Sequence, residues 1–360
     1  MSIYKRALTK PDGRRLILYG AKAEPPELPA PSPGMSPAHP ATHLRWHPLR
    51  GEWVAYASHR QNRTFLPPPE YNPLLPGEDT EVPRGAWDVA VFENLFPTLS
   101  RNAKEPPPES LVPTRPGKGT CEVVVFTQDP KASLGQLPLE RIELLFEVWA
   151  DRTRELGARD DVQYVFPFEN RGVEIGVTLH HPHGQIYAYP FVPPIPAREL
   201  SQQKEHLERT GRGLLQEMLD VELRDGQRIL WRGEHAAVLV PVCARYTYEI
   251  WIAPIRPVQR LYDATFDERR ELARALKLAL LKLDNLWQRP MPYLLLFHQA
   301  PTDGLDHPEA HLHIEILPYL RMPGRLKYLA GSEIGAGAFT ADTLPEEKAA
   351  ELRAVEVKLD

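Results

Sequence analysis

Two stretches of the chain repeat the same order of apolar and polar segments. The first begins at Cys121 and predicts a strand (CEVVVF), a loop, a helix, a strand (VQYVFPF) and a further loop. The helix is predicted because apolar side chains recur at helical spacing and form one stripe. These side chains are Ile142, Leu145, Phe146 and Trp149.

The same order of segments returns from Tyr248. A strand (YEIWIAP) is followed by a helix whose start, Thr265–Glu268, has the spacing of a capping box. The apolar stripe of this helix consists of Leu272, Leu276, Ala279 and Leu283. A strand (PYLLLFHQAP) and the segment HLHIEILPY complete the second stretch.

The two stretches also end in matching polar positions. These are His181, His183 and Gln185 in the first stretch and His311, His313 and Glu315 in the second. The shared order indicates duplication of an α+β unit. Between the two, ARELSQQKEHLERTGRGLLQEML predicts a helix, and RILWRG and AAVLVPV predict strands. We therefore expect an α+β fold of tandem repeats, with helices on one face of a mixed, largely antiparallel sheet.

Proline marks the N-terminal part of the chain. The 39 prolines among 360 residues exceed the usual ~5%, and one cluster occupies Ala23–Pro40. This cluster predicts a stiff extended arm that joins a strand-like piece, RRLILYG, to the body. We expect an arm and linker over 1–42, a first half over 43–195 and a second half over 196–360.

Composition narrows the class of protein. The net charge of −5 and the absence of a basic run exclude general attraction to nucleic acid or to a membrane surface. No apolar stretch is long enough to cross a bilayer. The two cysteines, Cys121 and Cys243, form no CxxC pair, which fits a reducing cytoplasm.

The segment HHPHGQIYAYP, His180–Pro190, concentrates the polar chemistry. On an extended segment His181, His183 and Gln185 face the same side, because side chains alternate with a period of two. Pro182 favours the extended backbone. Gly184 would leave room for a ligand backbone or a phosphate.

Three interpretations of these histidines remain open from the residues alone. The first is that hydrogen bonds satisfy them as structural residues. The second is a metal site, since HxH spacing is common among ligands. The third is a nucleophilic imidazole, because a mostly neutral histidine can attack phosphorus without prior loss of a proton. In that case Gln185 would donate from a neutral amide to a phosphoryl oxygen.

HPHGQ, which follows ENRGVEIG and precedes IYAYPFVPP, resembles the active-site signature of the galactose-1-phosphate uridylyltransferase family. This family belongs to the histidine-triad superfamily, whose hydrolases have a histidine where this chain has Gln185. The resemblance extends from about His43 to Val355. It implies histidine-triad-like halves, with His183 as the nucleophile that holds UMP and His181 as the histidine that orients its ring.

The resemblance also implies roles for residues outside this segment. RWHPLRGEWVAYASHRQNR, VFENLFP and GRLKYLAGSE are similar to the family's phosphate-binding, uridine-binding and hexose-binding motifs. The family often has an aspartate where Leu95 stands. The implied nucleotide and phosphate contacts are Arg60, Arg63, Asn94, Phe96, Asn170, Gly176 and Thr178. The implied hexose contacts are Lys327, Tyr328, Glu333 and Phe339, which in the family reach into the partner subunit's site and so imply a homodimer.

Of two metal sites found in the family, one is predicted to be absent from this chain and the other to be present. The cysteine-containing zinc site is predicted to be absent, because Asn72, Leu75 and Pro130 replace its other ligands and only His181 remains. The second site is predicted to be present and to hold zinc or iron. Its implied ligands are Glu199, His298, His311 and His313. The alternative for this set is a hydrogen-bonded polar cluster.

The resemblance thus implies a cytoplasmic nucleotidyltransferase of galactose metabolism. It would exchange UMP between UDP-glucose and galactose 1-phosphate through a covalent uridylyl-histidine, with ping-pong kinetics. One alternative is a phosphorylase or hydrolase of the same superfamily that acts on an adenine nucleotide or an ADP-sugar. Another is a noncatalytic relative that binds a nucleotide or a metal.

Overall fold

The structure is a computed structural model that describes residues 3–34, 42–62, 71–106 and 111–359. Its helices are α1 (Leu139–Gly157), α2 (Pro194–Thr210), α3 (Leu214–Asp225), α4 (Phe266–Leu286) and α5 (Pro345–Ala354). Its strands are β1 (Tyr4–Thr9), β2 (Arg15–Gly20), β3 (His43–His47), β4 (Glu52–Tyr56), β5 (Val89–Glu93), β6 (Thr114–Pro116), β7 (Thr120–Val125), β8 (Tyr164–Arg171), β9 (His183–Tyr189), β10 (Ile229–Arg232), β11 (Ala236–Leu239), β12 (Ile250–Pro254), β13 (Tyr293–His298), β14 (His313–Pro318), β15 (Leu320–Met322) and β16 (Arg325–Leu326).

One large antiparallel sheet contains most of the strands. Their order across the described sheet is β1-β2-β5-β7-β9-β8-β13-β14-β12-β11-β10. The β8–β13 pair lies at the centre of this order. On one side β8 is followed by β9 and β7, and on the other side β13 is followed by β14 and β12, so β9 corresponds to β14 and β7 to β12. The predicted α+β class with a largely antiparallel sheet is confirmed, and the duplication is visible in the topology.

The two faces of the sheet carry different helices. Helices α1 and α4 pack together on one face, where apolar side chains such as Leu145, Leu276 and Ile186 form the main core. On the other face α3 packs Leu215 and Leu219 against β11 and β12. The expectation that helices cover only one face therefore holds for α1 and α4 and is wrong for α3.

The segment predicted as one helix between the halves forms α2 and α3 instead. Gly211 ends α2 with φ +71°, a left-handed conformation that favours glycine and stops a helix. The predicted capping box of α4 is present, since the Thr265 side chain accepts from the Glu268 backbone amide and the Glu268 side chain accepts from the Thr265 amide. A glycine backbone conformation thus ends α2, and side-chain hydrogen bonds begin α4.

The N-terminal residues belong to the main sheet. β2 forms where RRLILYG predicted a strand, and it pairs with β1 on one side and β5 on the other. The arm that follows also packs on the body, because Leu28 and Ala30 contact the second apolar cluster and the Pro25 carbonyl accepts from Arg6 at 2.6 Å. No helix in the described part of the chain is long and apolar enough to cross a membrane.

Candidate active site

The HPHGQ segment ends in β9, and its side chains alternate between the two faces of the sheet. His183, Gln185 and Tyr187 are half-buried and point away from α1 and α4, whereas Gly184 and Ile186 are buried. A Cβ at position 184 would lie 2.8 Å from the Phe126 ring and 3.0 Å from the Phe168 carbonyl oxygen. Close packing inside the protein is sufficient to require this glycine, and the approach of a ligand backbone or phosphate to it stays a prediction.

The ring of His183 is oriented by a backbone carbonyl two residues earlier in the chain. Its Nδ1 lies 2.7 Å from the carbonyl oxygen of His181. Because a carbonyl oxygen only accepts, Nδ1 carries the proton, and in the neutral ring the lone pair is on Nε2. This is the tautomer that a nucleophilic imidazole needs if Nε2 attacks a ligand in the cavity.

His181 is buried and held from two sides. Its Nε2 donates to the Thr127 carbonyl oxygen at 2.7 Å, and its Nδ1 lies 3.2 Å from the side-chain nitrogen of Asn72. Burial lowers the pKa of His181 below its ordinary value. The ring is therefore neutral at pH 7 and, unlike His183, does not line the cavity described below.

One cavity of about 630 Å³ brings together most of the predicted nucleotide contacts. Its walls include apolar side chains such as Leu74, Phe92 and Phe168, which suit a base and a ribose. The predicted residues that line it are Arg60, Asn94, Phe96, Asn170, Gly176, Thr178, His183 and Gln185. A neighbouring cavity of about 940 Å³ also contacts Asn94, but neither His183 nor Gln185 lines it. The smaller cavity is therefore the candidate nucleotide site.

Local hydrogen bonds fix the rim of this cavity. Arg60 donates to the Thr98 hydroxyl at 2.5 Å, and the Asn94 side-chain oxygen accepts from the Phe96 amide at 2.8 Å. Gly176 has φ +80°, which a residue with a side chain rarely adopts. The predicted phosphate contact Arg63 lies outside the described residues.

The predicted hexose contacts lie together but away from the cavity. Lys327 donates to the Thr340 carbonyl at 2.8 Å and is 4.0 Å from the Glu333 carboxylate. Tyr328 is 78% exposed, and Phe339 is 39% exposed. Within the chain, the structure therefore does not bring this segment to His183.

Three of the four predicted metal ligands form a compact group. Ligand atoms of Glu199, His298 and His313 all lie within 4.8 Å of one another. The Glu199 carboxylate is 2.8 Å from His298 Nδ1, and the His298 and His313 rings stack at 5.0 Å. His311 is outside this compact group, since its Nε2 contacts the Pro254 carbonyl at 2.8 Å, but it lines the same small cavity as the other three residues.

Burial and charge give the two stacked histidines different pKa values. Burial acts to lower the pKa of His298, but the hydrogen bond to Glu199 and nearby carboxylate charge raise it overall. Burial and the neighbouring His298 lower the pKa of His313. The cavity beside them measures about 10 Å³, which is the space of a single ion or water.

The two repeats place different chemistry at equivalent positions. Gln185 pairs with Phe168 across the ladder, as Glu315 pairs with Leu296, and His298 pairs with His313 two residues further on. Glu315 is ion-paired with Arg245 at 2.6 Å. Of the two repeats, the first therefore has a neutral amide, Gln185, two residues after His183, and both side chains line the open cavity.

Two domain models of one protein family match most of the chain. Residues 35–193 match the model of the N-terminal domain of galactose-1-phosphate uridyl transferase, and residues 199–359 match the model of its C-terminal domain. The chain belongs to the galactose-1-phosphate uridylyltransferase family. The family's enzyme from Thermotoga maritima is 38% identical over 322 residues, which cover 88% of this chain and 99% of that protein.

Solved structures in and near the family agree with the fold. A uridylyltransferase is similar with a TM-score of 0.80 and 35% identity, over 87% of this chain and 97% of that one. An ADP-glucose phosphorylase from Arabidopsis thaliana, with bound ADP-glucose, is similar with a TM-score of 0.69 and 25% identity, over 87% and 99%. The hairpin of β1 and β2 precedes both ranges that match the uridylyltransferase family models.

Some residues at the site were not predicted from the sequence. Asn72 was identified only as a replaced cysteine, and its contact with His181 spans 109 positions. Pro33 and Tyr187 also line the cavity. The alternation of β9 could have indicated Tyr187, because it continues the series of His183 and Gln185, whereas no local signal connects Pro33 to the site.

Proposed function

We propose that this chain exchanges UMP between UDP-glucose and galactose 1-phosphate through a covalent bond to His183. The observation that carries the proposal is the single cavity in which His183 and Gln185 meet the predicted phosphate-binding and base-binding residues. The family membership and the higher identity to uridylyltransferases than to the ADP-glucose phosphorylase support this choice.

The reaction would proceed by two displacements at the α-phosphorus. The Nε2 lone pair of His183 attacks, an N–P bond forms, and the P–O bond to glucose 1-phosphate breaks with its electron pair on the leaving phosphate. A phosphate oxygen of galactose 1-phosphate then attacks the same phosphorus and releases His183. Each step conserves charge without an added proton or cofactor.

The surrounding groups would stabilise the charge that develops. The Nδ1 proton of His183 points at the His181 carbonyl, which favours the cationic ring of the uridylyl-imidazole. Gln185 can donate a neutral hydrogen bond to a nonbridging oxygen, and Arg60 supplies positive charge at the rim of the cavity. Arg63 is proposed as a second phosphate contact on the basis of its motif.

We also propose a homodimer in which each subunit supplies hexose contacts to the other. Lys327, Tyr328, Glu333 and Phe339 form one segment that does not reach the cavity of its own chain. The exposure of Tyr328 and Ile334, at 78% and 61%, leaves apolar surface for a partner. Sedimentation as a monomer at assay concentrations would contradict this arrangement.

Nucleotide binding would then fall mainly to the first half, 43–195, and the hexose and metal contacts to the second half, 196–360. The lining of the nucleotide cavity falls between 33 and 187, and the proposed hexose and metal residues fall between 199 and 339. We propose the cytoplasm as the location, which the unpaired Cys121 and Cys243 support.

We propose a zinc or iron ion at Glu199, His298 and His313, with His311 as the fourth ligand. The fit is supported by two buried nitrogens, His298 Nε2 and His311 Nδ1, that have no hydrogen-bond partner among the described residues. A bound ion would tie α2 to β13 and β14. It lies in the second repeat, so no step of the transfer passes through it.

An exchange assay tests the function against its rivals. The enzyme is given UDP-, ADP- and GDP-glucose in turn with galactose 1-phosphate, or with inorganic phosphate. We expect rapid formation of UDP-galactose from UDP-glucose and little reaction of the other nucleotides. Preferential phosphorolysis of ADP-glucose would identify a phosphorylase instead, and the absence of any turnover would favour a noncatalytic relative.

A further inference from the structure

The orientation of the Asn72 side chain is determined by two contacts. Its oxygen accepts from the Leu74 backbone amide at 2.9 Å, so its nitrogen is the atom that faces His181 Nδ1 at 3.2 Å. An amide nitrogen only donates, and His181 Nδ1 must therefore accept. Because His181 Nε2 already donates to Thr127, the two contacts select one neutral tautomer of this ring.

This ring and the nucleophile are connected through the backbone. The His181 carbonyl oxygen accepts from His183 Nδ1, so a shift in the backbone at His181 moves the acceptor that orients the His183 ring. The path from Asn72 to His183 therefore consists of a side-chain hydrogen bond, a buried imidazole and a carbonyl oxygen. Each link joins buried or half-buried groups.

The loop that carries Asn72 is held by the N-terminal hairpin. The Glu81 amide donates to the Pro73 carbonyl at 2.8 Å, which ties the two ends of this loop together. Lys10, in the turn between β1 and β2, is 2% exposed and donates to the Glu81 carbonyl at 2.8 Å and to its carboxylate. Arg14 donates to the same carboxylate at 2.9 Å and to the Glu93 carbonyl at 2.8 Å.

The charges of this cluster are balanced within it. Lys10 and Arg14 face the carboxylates of Glu81 and Asp12, and each of the four side chains is less than a tenth exposed. Movement of the Glu81 loop away from the hairpin would leave a buried charge unpaired, which opposes that movement. The hairpin precedes the ranges that match the family models.

We propose that Asn72 is a positioning residue for the uridylyl transfer and that the Lys10–Glu81 contact holds it in place. The inference rests on the proposed function. Asn72 fixes the tautomer of His181, His181 fixes the ring of His183, and the hairpin fixes the loop. Neither Asn72 nor Lys10 touches the reacting atoms.

The first experiment measures the single-turnover rate of covalent uridylylation in the full-length chain. Asn72→Ala removes the donor, and Asn72→Asp keeps the shape and the acceptor for Leu74 but has no N–H to donate. Both variants should lose about 10- to 100-fold in rate, the range seen when partners that orient a functional histidine are removed. The KM for UDP-glucose should change little in Asn72→Asp, because this variant keeps the acceptor for the Leu74 amide and so the position of Leu74 in the cavity wall.

Asn285→Ala is the matched control, since Asn285 is half-buried like Asn72 but lies at the end of α4, away from the cavity. It should react at the wild-type rate. An unchanged rate in Asn72→Ala would overturn the proposal, as would a rise in KM that accounts for the whole loss.

The state of the His181 ring gives a readout that does not depend on activity. Nitrogen-15 spectra of the histidine rings should show a neutral His181 with the proton on Nε2 in the wild type. In Asn72→Asp the carboxylate should draw a second proton onto Nδ1. If the wild-type enzyme proved inactive but this change occurred, the proposed function would fail while the positioning contact would stand. An identical ring state in both proteins would overturn the contact.

A double-mutant cycle tests the role of the hairpin. Lys10→Met keeps the length of the side chain and should slow uridylylation, whereas Lys5→Met, at an exposed ion pair on the same hairpin, should not. When Asn72→Ala is already present, Lys10→Met should cause no further loss of rate, because both changes break the same path. Additive losses would show that Lys10 acts independently of Asn72 and would overturn this part of the proposal.

Discussion

His183 and Gln185 reach the cavity because a strand directs every second side chain to the same face. This arrangement could be predicted from HPHGQIYAY alone, since the alternation is local and Pro182 favours an extended backbone. The partners of His181 could not be predicted in this way. Thr127 and Asn72 lie 54 and 109 positions away in sequence, and only the folded sheet brings them to the ring.

The same limit explains the two glycines of the site. The sequence predicts that Gly184 makes room for a ligand, and it cannot indicate the close neighbours Phe126, directly after β7, and Phe168, in β8. The role of Gly176 in a turn depends on its positive φ, which the motif indicates only through resemblance. A glycine in a motif thus predicts a close contact at that position, but only the tertiary structure shows which group makes the contact.

A substitution at His313 tests the second-repeat cluster as a metal site. The wild type should purify with near-stoichiometric zinc or iron, and His313→Ala should lose it, because the removed imidazole is one of the three grouped ligands. Elemental analysis of both proteins measures this. His206→Ala, on α2 but outside the group, should keep the metal. Equal metal content in His313→Ala and the wild type would contradict the assignment.

At the scale of elements, the helices and strands with strong periodicity were predictable. α1 and α4 form where their apolar stripes indicate, because each stripe is buried against the sheet. The break between α2 and α3 was missed, since isolated glycines such as Gly211 and Gly213 in a helical pattern do not by themselves end a helix. The small sheet of β4-β3-β6 was also missed, because the order of its strands depends on contacts between distant segments.

The start of α4 offers a test of how local chemistry stabilises an element. Thr265→Ala removes the acceptor for the Glu268 amide and should lower the free energy of unfolding by about 1 kcal/mol. Denaturant titration of the purified chain measures this change. Thr265→Ser keeps the hydroxyl and should unfold close to the wild type. An unfolding free energy of Thr265→Ala equal to that of the wild type would contradict the role of this cap.

At the scale of the whole molecule, duplication has produced two sites with different chemistry. The sheet order is the same on both sides of the β8–β13 pair, yet the first repeat opens onto a nucleotide-sized cavity and the second encloses three close ligands. The difference follows from particular residues: Gln185 is neutral where Glu315 is ion-paired, and α2 brings Glu199 against His298 in the second repeat. The repeat was predictable from the sequence, but the covering of one site by α2 was not.

The central claim is that one imidazole, His183, carries UMP between two sugar phosphates. The most direct test mixes the enzyme with UDP-glucose labelled in the uridylyl group and measures the intact mass and label of the protein after an alkaline quench. We predict one uridylyl group on the wild type and on His180→Ala, its exposed neighbour, and none on His183→Ala. Retention of the covalent label by a folded His183→Ala, or its absence from an active wild type, would contradict the account.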